Sequence, residues 1–110
     1  MRRLPPALAA SATPRILDEL GEPPGRVLEL GFAGIHANLL RLAGFDVVVV
    51  EPSAAYRAGA RERAGDVLAE PPATAFDAVV APAGTDLAGV TARTIVLVGQ
   101  DGSVWSSASS

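Results

Sequence analysis

Two acidic residues and a glycine-bearing turn are the part of this sequence whose spacing could do chemistry. Glu29-Leu30-Gly31-Phe32-Ala33-Gly34 closes a short apolar run, and Glu51-Pro52 closes another, with Glu51 twenty residues beyond Gly31. If a helix begins at the turn, its first amides are unpaired and carry partial positive charge. Glycine there lets the backbone approach an anionic or carboxylate-bearing ligand closely. An acid at the end of the next strand is placed to accept hydrogen bonds from both hydroxyls of a ribose. Asp66-Val67 opens a third run, where a carboxylate could accept from an exocyclic amine. Each acid also has a plainer use, as a solvated strand end or a loop cap.

Other chemistry is excluded by composition. The chain has 110 residues, no Cys and one His, and its nine basic residues are all Arg. Disulfides, thiolate nucleophiles and thiolate metal sites are therefore absent, and one imidazole gives little for a metal. A lysine Schiff base and a P-loop lysine are excluded too. The net charge of −3 argues against an electrostatic nucleic-acid binder. The hydrophobic fraction of 49% with only 5% aromatic residues predicts one small domain with an aliphatic core. No apolar run is long enough to cross a membrane, and a cytoplasmic location is expected. The opening MRRLPPALAASA carries basic, apolar and small residues like a signal peptide, but Pro5 and Pro6 break the apolar patch.

The elements that must position these residues follow from periodicity. Residues 1–12 are expected to be a flexible arm, 13–105 a single domain and 106–110 a disordered tail. Thr13 is placed to cap a helix over 13–20, with Pro14 in its first turn and Gly21 at its end. Strands are expected over 27–30, 46–50, 66–69, 78–81 and 94–98. Helices are expected over 35–43, with Leu39, Leu42 and Ala43 inward, and over 54–63, with Ser53 as cap and Arg57, Arg61 and Arg63 on a wet face. One or two helical turns are expected over 86–90. Asp101-Gly102 is a hairpin signal, so 103–105 either folds back as an antiparallel edge or frays. Alternating strands and helices predict an α/β Rossmann-like three-layer domain, mostly parallel, in strand order 3-2-1-4-5. Its ligand crevice lies outside the strand ends at the switch point between strands 1 and 4.

At these residues the chain resembles class I S-adenosylmethionine-dependent methyltransferases. VLELG resembles the family's first motif, VVVVEPSAAYRAGARER its second strand, ribose acid and following helix, and AGDVLAEPPATAFDAVVAP the adenine-contacting stretch and strand 4. The resemblance spans roughly residues 13–98. It implies S-adenosylmethionine as cofactor, with Glu29 near the methionine amino group and Gly31, Phe32, Ala33 and Gly34 passing under the ligand. It implies Glu51, followed by Pro52, on the ribose, Asp66 and the backbone of Val67 at the adenine, and Ala81 and Pro82 facing the methyl-transfer region. With no Cys, no Lys and one isolated His, no catalytic side chain and no metal site are expected.

The departures from that pattern matter. Ala33 and Ile35 stand where the family usually has Gly, and Ala at φ > 0 costs about 1–2 kcal/mol. The string after strand 4 is APAG, without a polar side chain to position an amine, and the family's last two strands are missing. Three functions therefore stay open at this level: a minimal cofactor-binding, methyltransferase-like domain without a substrate half, a degenerate non-catalytic domain, and a nicotinamide-dinucleotide, NAD(P)-binding domain. The last fits poorly, because Ala33 and His36 occupy the second and third Gly positions of G-x-G-x-x-G. A shortened sheet leaves an unpaired edge, which is expected to serve a second copy or a protein partner. No nucleic-acid or membrane partner is expected.

Overall fold

The structure is a computed structural model that describes residues 6–108. Its elements run α1 (Pro6–Ser11), α2 (Thr13–Leu20), β1 (Arg26–Leu30), α3 (Ala37–Ala43), β2 (Asp46–Val50), α4 (Ala54–Ala64), β3 (Val67–Leu68), β4 (Ala75–Pro82), β5 (Thr91–Val98) and β6 (Val104–Ala108). They form one sheet in the order β3-β2-β1-β4-β5-β6. The first five strands are parallel, and β6 returns antiparallel on β5 with Val98 opposite Val104. The expected α/β class and strand order are therefore present, with the antiparallel edge rather than the frayed end.

The strands sort their side chains onto two faces. Val27, Val47, Val49, Val67, Ala78, Val80, Val96 and Val98 meet residues of all four helices in one core. Leu28, Leu30, Val50, Phe76, Val79 and Ala81 form a second core on the other face. Outside the strands, that second core draws, among the described residues, only on Leu87 and Val90. The third layer is thus a connecting segment over 83–90, where helical turns were expected. Gly84 and Gly89 sit at φ 85° and 82°, and the Asp86 carboxylate takes the Ala88 N–H at 2.9 Å. Such a local bond competes with helix formation.

Several boundaries move for identifiable reasons. Part of the expected arm is helix α1, with Ala9 and Ala12 buried, and residues 1–5 lie outside the described residues. Part of the expected tail is strand β6, and residues 109–110 lie outside the described residues. Thr13 does not cap α2. Ala12 holds the cap position, and the Thr13 hydroxyl is turned inward. Ser53 makes no side-chain cap to α4. Helix α3 starts at Ala37 because the turn consumes Ile35 and His36. Within it Ala37 and Leu40 point into the core, while Leu39 is 50% and Leu42 83% exposed. The expectation that Leu39, Leu42 and Ala43 face inward is corrected accordingly. β4 and β5 are each eight residues long, longer than expected, and β3 is only two.

Candidate functional site

The turn between β1 and α3 is built from left-handed backbone. Gly31, Ala33 and Gly34 have φ of 83°, 52° and 75°. Ala33 is the only non-glycine residue at positive φ among the described residues. Gly34 is required twice over, by its φ and by space. A Cβ there would lie 2.7 Å from the Ala64 Cβ, so the last turn of α4 rests directly on the loop. That approach is clamped by polar contacts. The Arg63 guanidinium donates to the Ala33 carbonyl at 2.5 Å, and Asn38 and Arg41 each donate at 2.7 Å to the Arg63 and Ala64 carbonyls.

Two carboxylates converge on this turn from adjacent strand ends. Glu51 accepts the Ala33 N–H at 3.1 Å on Oε1 and the Ser53 N–H at 3.0 Å on Oε2. Its own carbonyl accepts from Arg57 Nε at 3.0 Å. Glu29 accepts the His36 N–H at 2.8 Å on Oε2. Both side chains are fully buried. The Gly31 N–H continues the sheet by donating to the Val50 carbonyl at 3.0 Å. Pro82 closes the other side, with its ring 3.4 Å from where a Gly31 Cβ would stand.

His36, whose amide bonds Glu29, is itself fully buried. The Thr13 hydroxyl donates to the Ala10 carbonyl at 2.9 Å, so it accepts from His36 Nδ1–H at 2.7 Å. That assignment leaves Nε2 a bare acceptor. Phe32 meets the imidazole edge-on, with centroids 4.7 Å apart. Glu29 Oε1 and His36 Nε2 are both buried without a hydrogen-bond partner. Burial pushes the Glu29 carboxyl up to about 7, against the opposing pull of the His36, Gly34 and Ala37 amides and of Arg41. Burial also pulls the His36 imidazole down to about 4. Both groups favour their neutral forms, as polar atoms stripped of water do.

Of the residues expected at a cofactor site, Glu29, Gly31, Phe32, Ala33, Gly34, Glu51 and Pro52 come together here. Phe32 is buried in the helix-side core, and Ile35 packs against it. Asp66 is not brought to the group. Val67 pairs with Val49, which puts Asp66 level with Val48, three residues short of Glu51. At the rise of a strand that is about 10 Å. Val67 turns its side chain into the helix-side core, and Ala81 is buried in the opposite one. The residues that sequence reading undervalued are Thr13, His36, Arg57 and Arg63. His36 looked like packing, and Arg57 and Arg63 looked like a wet face. Three arginines on one short helix carry no signal of which carbonyls they will reach. Among the described residues no group of His, Cys, Asp and Glu could hold a metal ion, and no helix is long and apolar enough to cross a membrane.

A parallel sheet in this order, with a left-handed Gly turn after β1 and an acid after β2, defines a minimal methyltransferase-like Rossmann fold. Comparison with solved structures agrees. The chain superposes on AibC with a TM-score of 0.58 at 21% identity, covering 84% of this chain and 34% of that one. It superposes with a TM-score of 0.57 at 12% identity on a Methanococcus maripaludis protein provisionally described as an S-adenosyl-L-methionine-dependent methyltransferase, covering 84% and 56%. The chain thus spans about a third and a little over half of these neighbours. No protein-family model matches it, and no curated protein does.

Proposed function

We propose that the chain is an S-adenosylmethionine-binding domain of the methyltransferase type whose methyl-acceptor side is not built by these residues. The observation that carries this reading is the convergence of Glu29 and Glu51 on one left-handed turn, which holds a non-glycine residue at φ 52°. Strained backbone persists where its surroundings over-determine it, and such positions cluster at ligand sites. The orphan Oε1 of Glu29 is sealed from solvent and would take a donor, such as an ammonium group, once the turn over it opens. Glu29 and the backbone of Gly31 to Gly34 would hold the amino-acid end of the cofactor. Glu51, at the end of β2, would lie on the ribose side, and Asp66, about 10 Å short of Glu51 along the sheet, would not reach the adenine. When bound, S-adenosylmethionine supplies a sulfonium-activated methyl group. On the 83–90 segment the Thr85 hydroxyl is spent on the Pro82 carbonyl and the Asp86 carboxylate takes the Ala88 N–H, so an acceptor would be held by a second chain or a further domain.

One observation favours a second reading. Glu51 is fully buried with both oxygens on backbone amides, as a purely structural acid would be. In that reading the domain is degenerate and works through a protein partner. Calorimetric titration of folded protein with S-adenosylmethionine and with its demethylated product separates the two. Saturable heat at micromolar ligand, weakened in Glu29→Gln, is expected. Silence at millimolar ligand overturns cofactor binding and leaves the degenerate reading. A larger thermal shift with NAD or NADP would move the site to the dinucleotide class.

A further inference from the structure

The two edges of the sheet are finished differently. At one edge, β3 is two residues long and lies between the exposed Asp66 and Glu70, with Pro71 and Pro72 following. Short length, charge and proline are the devices that stop a strand edge from pairing with another chain. At the other edge, β6 (Val104–Ala108) is five residues long and contains neither a charge nor a proline. It carries Trp105, which is 53% exposed on the same face as its partner Leu97.

The register shows which backbone groups this edge presents. The Gly99 N–H donates to the Ser103 carbonyl at 2.8 Å, which makes 99 and 103 a hydrogen-bonded pair. Along an antiparallel ladder such pairs alternate, so 97 with 105 and 95 with 107 are the next ones. Residues 103, 105 and 107 therefore spend their N–H and C=O on β5. Val104, Ser106 and Ala108 aim theirs outward, and none of these groups has a partner among the described residues.

We propose that β6 pairs antiparallel with β6 of a second copy of this chain, about a two-fold axis through Ser106. That axis sets Ser106 opposite Ser106 of the second copy and Val104 opposite Ala108 in both directions, so the three outward-facing residues of each strand meet as hydrogen-bonded pairs. A two-fold axis superposes like charges, so self-pairing is best served by a neutral strand, which β6 is. Glu19 stands near the axis, and its carboxylate accepts from the Ser106 hydroxyl. Two copies of Glu19 repel across it, and the contact is small, so the dimer is weak.

Sedimentation velocity tests the proposal. Wild type is expected to dimerise with a midpoint of about 10² micromolar, more tightly at high salt, where the Glu19 pair is screened. Glu19→Gln should give the same gain at low salt. Ser106→Pro removes an outward N–H that β5 does not use, and should weaken association at least about tenfold while helical circular dichroism is unchanged. The chain has no native cysteine, so Ser106→Cys can be cross-linked by a short bismaleimide. The two Cα atoms stand about 5.5 Å apart in such a pair. Ser106→Cys should link in high yield, and Asp66→Cys at the opposite edge should not. A strictly monomeric wild type at millimolar concentration, equal linking at the two edges, or a folded Ser106→Pro that dimerises like wild type overturns the proposal.

Discussion

Glu29 and Glu51 are the same residue type, fully buried at the ends of neighbouring parallel strands, and both take an amide of the same turn. They differ in what becomes of the second oxygen. Glu51 has a backbone N–H on each oxygen, whereas Glu29 has one on Oε2 and nothing on Oε1. Burial removes the same water from both. Burial pushes the Glu29 carboxyl up to about 7, against the pull of the His36, Gly34 and Ala37 amides and of Arg41. One acid therefore holds the turn with both oxygens, while the other holds it with Oε2 and leaves Oε1 without a hydrogen-bond partner.

The sharpest way to break this contrast is the same substitution at both sites. Glu51→Gln leaves one backbone N–H facing an NH2 group, and should cost about 3 kcal/mol in urea unfolding. Glu29→Gln keeps the acceptor for the His36 N–H and removes a carboxyl that is half protonated at neutral pH, so it should cost under about 1 kcal/mol there. Equal losses would mean that the two sites are not different.

The next effect is a pair of pH slopes that hide each other. Glu29 rises from 4.5 to about 7 on folding, so its stabilising share is complete below 4.5 and is lost as pH rises through 7. His36 falls from 6.5 to about 4, so its share is complete above 6.5 and is lost as pH falls through 4. Between about 4.5 and 6.5 the folded state holds one proton more at Glu29 and one fewer at His36, so the two contributions cancel. Removing either group should expose the other as a slope of about 1.4 kcal/mol per pH unit relative to wild type. Glu29→Gln should make stability rise more steeply with pH across this window, and His36→Asn should make it fall. Parallel curves for wild type and both variants would show that neither group is buried as described.

The smallest effect lies at Ala33, between the two acids. Ala33→Gly removes a left-handed strain of about 1–2 kcal/mol. It adds chain entropy worth about 0.5–1 kcal/mol and gives up part of a buried methyl. A net gain of about 0.5 kcal/mol in urea unfolding is expected. A loss above about 1 kcal/mol would mean that the methyl, not the Glu51 bond, fixes the turn.

The chain itself determined the sheet. Four consecutive valines ending at Glu51, the LELG run, and the regular alternation with helix-forming segments dictate a parallel α/β order, because a strand covered on both faces must be apolar on both. It also placed the turn and both acids at strand ends, since that follows from local spacing. Tertiary structure decided the rest. Where α3 starts depends on the His36 amide finding Glu29, and which of its leucines face water depends on how the helix packs on the sheet. Whether Thr13 caps a helix or holds a histidine depends on a ring 23 residues away. Whether Asp66 reaches the site depends on how far β3 slides along β2. That the exposed Arg63 also clamps the turn depends on a carbonyl 30 residues off. Hydrophobic spacing is local and survives in sequence, but the partner of a buried polar atom is set by chain segments that only folding brings together.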